Sequence, residues 1–168
     1  MTPIHWVEVA ATRPGRLGTA ARPRGGAWLD DELRGWRAAG VERVVSMLTE
    51  PEVAELELGD AAAAAARAGL RLVRVPVVDR GLPGSSRVVA AAAGEAAAVL
   101  RGGGGVVTHC RQGIGRASMM AAAVLIELGV EWSAALGAIE AARGRSIPDT
   151  REQRAWVEQY AAGRRLRG

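Results

Sequence analysis

The sequence predicts an α/β fold: one domain whose central sheet of four or five strands is flanked by helices. Three observations lead there. Runs rich in Val and Ile and bounded by turn residues alternate with stretches of helical periodicity, which is how mixed α/β domains read. A chain of 168 residues has room for one core of ordinary size and too little for two. Hydrophobic residues make up 49% and charged residues 24%, which excludes a charge-rich disordered chain. No internal repeat or interdomain linker divides residues 1–168, so all of them are assigned to a single domain.

Taken in order, residues 4–10 are the first expected strand, and residues 15–21 supply the strand that makes the sheet five-stranded. Trp28, Leu29, Leu33 and Trp36 then recur at helical spacing, with Asp30, Asp31 and Glu32 in the first turn and Gly40 as the stop. Residues 41–48 are a strand. The alanine tract 60–68 resembles low complexity, but Ala is the best helix former, Asp60 can cap it and Gly69 can end it, so a helix is expected. Residues 70–78 form a strand, and residues 87–101 a second Ala-rich helix. The four glycines 102–105 precede a strand rather than follow one, which makes them a turn and not a phosphate cradle. After the strand 105–109 come helices over 116–128, 131–143 and 150 to about 164. Thr150 and Gln153 are spaced as in a capping box.

Charge and composition narrow the function classes. The formal charge is +4, the pI is near 10.7, and each of the 22 basic residues is Arg. Lys, Asn and Phe are absent, a bias that a GC-rich bacterial genome explains. The arginines are scattered rather than gathered into a stripe, so a solvated surface is expected and not a nucleic-acid interface. Arg164, Arg165 and Arg167 at the tail are read as a frayed, solvated end, the one place where an acidic partner could touch. The longest apolar run, 117–126, contains Ser118 and falls well short of the roughly 20 residues of a membrane span. The opening MTPIHWVEVA has no export-signal pattern and a single cysteine precludes internal disulfides; both point to a reducing cytoplasm.

The chemistry lies in GVVTHCRQGIGRAS, residues 105–118, where an apolar strand runs into a glycine-containing loop and then a helix. Such a loop can turn successive backbone N–H groups toward one centre, and the helix adds the positive end of its dipole, so an oxyanion of phosphate size is expected there. The same field favours a thiolate at Cys110, and the thiolate is the nucleophilic form of cysteine. Arg116 offers a planar fork of donors that fits two oxygens of a phosphoryl group. Attacker, cradle and clamp are thus supplied within seven residues.

This stretch resembles the H-C-x-x-G-x-x-R signature of cysteine-dependent protein tyrosine and dual-specificity phosphatases, with His109, Cys110, Gly113 and Arg116 in register. The resemblance implies Cys110 as nucleophile, Arg116 as clamp, Arg111, Gln112, Gly113, Ile114 and Gly115 as the substrate-binding loop, and His109 as its organiser. A general acid is needed for the leaving oxygen. VPVVDRGLP, residues 75–83, resembles the P-x-x-D-x-G-x-P form of kinase-associated and related bacterial enzymes, which implies that Asp79 is that acid. Arg80 is either a substrate contact or simply solvated, and His5 is read as structural. The last helix resembles a Q-T-x-x-Q segment that positions water: Gln153 matches, Asp149 replaces the first Gln, and a helix cap accounts for Asp149 and Thr150 equally well.

Two departures matter. Ala117 stands where the family has a Ser or Thr that stabilises the departing thiolate, and Ser118 is rotated by roughly 100° along the helix. The only Tyr, Tyr160, lies in the last helix, so no aromatic loop deepens the pocket. The resemblance therefore implies a monomeric, cofactor- and metal-free phosphate monoester hydrolase of dual-specificity type, acting on a phosphorylated protein or small phosphate ester. Two alternatives remain: a slow phosphate-binding module, supported by Ala117, and an inositol phosphate or phosphoinositide phosphatase, for which Arg111 would be the loop cation.

Overall fold

One mixed sheet carries the strands β1 (Ile4–Trp6), β2 (Arg16–Ala20), β3 (Val41–Ser46), β4 (Arg71–Arg74) and β5 (Gly105–His109) in the order β1-β2-β5-β3-β4. The structure, a computed structural model, describes residues 1–167, with side chains as far as Arg165. Gly168 and the Arg167 side chain of the basic tail lie outside the described residues. Only β1 is antiparallel, pairing with β2; the other strands run parallel. The helices are α1 (Leu29–Ala38), α2 (Glu50–Glu55), α3 (Ala61–Ala68), α4 (Ser86–Arg101), α5 (Arg116–Glu127), α6 (Trp132–Arg143) and α7 (Arg151–Arg167).

The two-residue alternation of strands sorts the core into two clusters. Val45 of β3 and Val106 of β5 pack with Ala93 of α4, Met119 and Val124 of α5, Ile139 of α6 and Val157 of α7. Their neighbours Val44 and Val107 face the other way, onto Leu29, Leu33 and Trp36 of α1 and Ala61 and Ala64 of α3. β5 is central and buried at all five positions, as parallel strands covered on both faces are. Helix α5 is buried from Arg116 through Leu125, which is why its sequence shows apolar residues all round. None of the described helices is long and apolar enough to cross a membrane.

The sheet has the fifth strand, and several local expectations need correction. The first strand stops at Trp6, and residues 10–12 make a 3₁₀ turn instead. The strand expected over 70–78 ends at Arg74; Val75 and Val77 still donate to Ser46 and Met47, but as an extended lead into the next loop. Trp28 is not on the buried face of α1: it lies in a preceding 3₁₀ turn, is exposed, and carries Arg24 stacked over its ring. Glu32 does more than meet a dipole, since its fully buried carboxylate accepts from Arg24 and the Thr2 backbone and is held down to about 2. Asp60 makes no side-chain cap and pairs with Arg67. The tail is not frayed at Arg164, which lies in α7 and pairs with Glu127. Helix α2 is an addition, although Thr49, Pro51 and Glu52 mark its start with a capping box.

Candidate active site

Because β5 is central, its C-terminal end opens where the strand order reverses, the usual position of a ligand crevice in an α/β sheet. His109 ends β5 and Arg116 begins α5, so residues 110–115 form the loop between them. Its shape depends on Gly113, at φ 72°, where a Cβ would lie 2.6 Å from the Ala20 carbonyl carbon; the loop sits directly on the end of β2. Arg22 N donates to Arg111 O, and Arg143 of α6 reaches the Gly113 and Gln112 carbonyls at 3.3 and 3.4 Å. Among the described residues nothing accepts from the backbone N–H groups of residues 111–115, which leaves them for an anion.

Cys110, Gln112, Ile114, Gly115, Asp79, Arg80 and Asp149 line one cavity of about 210 Å³. Cys110 is 3% exposed. His109 is buried beneath the loop with its ring against Trp36, and its Nδ1 lies 3.1 Å from the Cys110 carbonyl, to which the neutral ring donates. Burial pushes His109 down to about 4; the bond to the carbonyl opposes this and the Arg116 charge adds to it. Thr108 Oγ1 donates to Ala117 O at 2.8 Å, fixing the first turn of α5 from the strand side.

Arg116 is the most heavily held side chain of the site. Nη1 donates to Glu52 Oε2 and Val77 O, each at 2.8 Å, and Nη2 donates to Glu52 Oε1 at 2.9 Å and lies 3.3 Å from Asp79 Oδ1. Burial by itself would lower Arg116, but the Glu52 bond and the charges of Cys110, Glu52 and Asp79 outweigh it and raise it. A guanidinium has five N–H donors. Nε makes no bond to a described residue, so Nε and the Nη2 hydrogen facing Asp79 are the fork that a phosphoryl group can take. Glu52 was not singled out by the sequence reading. The Arg116 bond, against burial and with help from Thr49, holds it down to about 2, a fixed anion behind the clamp.

Asp79 is placed by a tight turn in which Gly81 N donates to Val78 O at 2.7 Å and Arg80 takes φ 61°, a conformation that favours glycine and is strained for Arg. Gln153, fully buried in α7, completes the capping box with Thr150 and donates from Nε2 to Gly81 O at 3.2 Å. Arg111 is drawn off to the side, bidentate on Glu55 at 2.9 and 3.3 Å. Ser118 is fully buried and its Oγ has no hydrogen-bond partner among the described residues, the Cys110 sulfur included. His5 is half-buried in β1 opposite Thr19 and away from the cavity.

The family model described as "Polymorphic toxin system, DSP-PTPase phosphatase" matches residues 18–130. Among solved structures, a kinase-associated phosphatase with its catalytic cysteine replaced by serine is 17% identical and aligns with a TM-score of 0.85 over 96% of this chain and 95% of that one. Human DUSP28 aligns at 20% identity and a TM-score of 0.69 over 97% of each chain. The phosphatase PTPMT1, in complex with PI(5)P, aligns at 22% identity and a TM-score of 0.73 over 90% of this chain and 93% of that one. At these identities the likeness is one of fold. No curated protein matches the chain.

Proposed function

The chain belongs to the dual-specificity-type phosphatase family of polymorphic toxin systems, and from that premise we propose that it hydrolyses phosphate monoesters on proteins through a phosphocysteine. The observation that carries this reading is that Cys110 and Asp79 line one cavity, with the Arg116 guanidinium buried behind it and 3.3 Å from Asp79. In the first step the Cys110 thiolate attacks phosphorus, the bond to the leaving oxygen breaks, and Asp79 gives that oxygen its proton. In the second, Asp79 takes a proton from water, the water oxygen attacks phosphorus, and the sulfur–phosphorus bond breaks to return the thiolate and release inorganic phosphate. Throughout, the loop N–H groups and Arg116 Nε and Nη2 hold the equatorial oxygens. Arriving phosphate takes the donor that faces Asp79, leaving that carboxyl to the leaving group.

Phosphoprotein is favoured over inositol phosphate by the charges at the rim. Arg111, the cation of the loop, is neutralised by Glu55, while Asp79 and Asp149 both line the opening. A second phosphate on the substrate would meet two carboxylates there against one arginine, Arg80. Phosphotyrosine, phosphoserine and phosphothreonine peptides should therefore be hydrolysed faster than inositol phosphates; the reverse order in a side-by-side assay would assign the inositol class.

Ala117 supports the second reading, a slow module that holds phosphate. With no hydroxyl at position 117 and the Ser118 Oγ without a partner among the described residues, departure of the thiolate lacks a hydroxyl donor. Para-nitrophenyl phosphate should give a burst of phenolate followed by a slow steady state, and Ala117→Ser should raise the steady rate and shrink the burst. No burst, with an unchanged rate in Ala117→Ser, would show that another group performs this step.

A further inference from the structure

We propose that Gln153 is a positioning residue that latches the Asp79 loop over the phosphate cradle, rather than a holder of the hydrolytic water. The inference rests on the reading of Asp79 as general acid. Gln153 lies on α7, beyond the residues that match the family model, and its side chain is fully buried. One amide meets three parts of the site. Its Oε1 accepts from Thr150 N at 3.2 Å, which fixes the start of α7. Its Nε2 donates to the Gly81 carbonyl at 3.2 Å, two residues from Asp79. A Cβ built on Gly115 of the cradle would lie 2.8 Å from Oε1 and 3.0 Å from Nε2, so the amide is packed against the cradle itself.

The loop is thereby held at both ends. Arg116 takes the Val77 carbonyl and Gln153 the Gly81 carbonyl, and between them the Val78–Gly81 turn bears Asp79 with Arg80 strained at positive φ. Among the described residues the side chain of Asp79 has no partner besides Arg116, at 3.3 Å, and it is 60% exposed, so its aim depends on the backbone beneath it. A turn under strain and open to solvent relaxes unless outside bonds fix it. A water-holding role asks the same amide for polar atoms that face the cavity, but Gln153 is fully buried, does not line the cavity, and makes one bond from each of its two polar atoms.

Gln153→Glu separates the roles, because it keeps an acceptor for Thr150 N, as Glu does in ordinary capping boxes, while removing the donor to Gly81. Losing one such bond is expected to cost roughly tenfold in kcat/KM on phosphoserine peptides, whose leaving group needs the acid, and under about twofold on para-nitrophenyl phosphate. Inhibition by inorganic phosphate should weaken in Gln153→Glu, whose carboxylate lies against the cradle, and should not change in the uncharged Gln153→Leu. Gln153→Leu, which also surrenders the cap, should show the same leaving-group ratio beside a lower Tm. In an Asp79→Asn background the uncharged Gln153→Leu should cost nothing further on phosphoserine. Equal losses on both substrates, additive losses with Asp79→Asn, or a larger aryl burst with a slower steady state would overturn the latch, the last by restoring the water-positioning role. If Asp79→Asn alone shows no leaving-group dependence, the acid assignment falls and the latch with it; if only the Gln153 variants fail to show it, the latch alone falls.

Discussion

Cys110 and Arg116 are 3% and 1% exposed, whereas the Asp79 side chain, across the same cavity, is 60% exposed. The cradle is built from below: His109, Thr108, Glu52 and Arg143 each spend a polar group on it, and glycine supplies the close approach to β2. The loop that bears Asp79, the acid of the proposed mechanism, is held by two carbonyls at its ends. The difference follows from what each must do in the proposed mechanism. Donors for a charge that develops during reaction work best when already fixed and dry, while an acid at the rim must let substrate in. Damage to the two regions should therefore leave different signatures: cradle variants lose rate with every leaving group, and acid-loop variants lose most with poor ones.

The largest effect is expected from Cys110→Ser, which should cut turnover of para-nitrophenyl phosphate by at least about a thousandfold while leaving fold and phosphate binding in place. Wild-type activity in that variant would end the phosphocysteine mechanism. Next comes Glu52→Gln. It leaves the buried Arg116 charge with only the exposed Asp79 as counter-ion, which should cost about 3 kcal/mol of stability and roughly tenfold or more in kcat on aryl and alkyl substrates alike. Urea unfolding and steady-state rates measure the two parts. A loss confined to alkyl phosphates would place Glu52 with the acid loop and break the contrast.

The smallest effect is one of pH. His109 is held near 4 in the folded chain, below the ordinary 6.5, so the unfolded chain binds its proton first as pH falls. The contribution is complete above pH 6.5 and is lost on the way down to about 4, amounting to about 3 kcal/mol. Glu52, held near 2, adds a loss of the same sign below pH 4.5. Urea midpoints from pH 7.5 to 4 should fall more steeply in the wild type than in His109→Gln, and parallel curves would remove His109 from this account.

The strand–loop–helix of residues 105–118 could be read from the chain because its parts are neighbours: the apolar run, the glycines, Cys110 and Arg116 act through backbone geometry that local sequence sets. The turn that brings Asp79 to the cavity was legible for a similar reason, through the proline and glycine spacing of its loop. The helix caps at Thr49 and Thr150 are equally local, and α2 escaped although Thr49 and Glu52 announce it. Strand ends were less legible, because where β1 and β4 stop depends on how far their partners β2 and β3 run alongside them. What tertiary structure alone decided is which distant group each site residue meets. Glu52 reaches Arg116 across 64 positions, Gln153 reaches Gly81 across 72, and Glu55 draws Arg111 aside across 56. No local spacing encodes such pairs, since they exist only once the parallel sheet has brought the ends of β3 and β5 together and α7 has packed over the cradle.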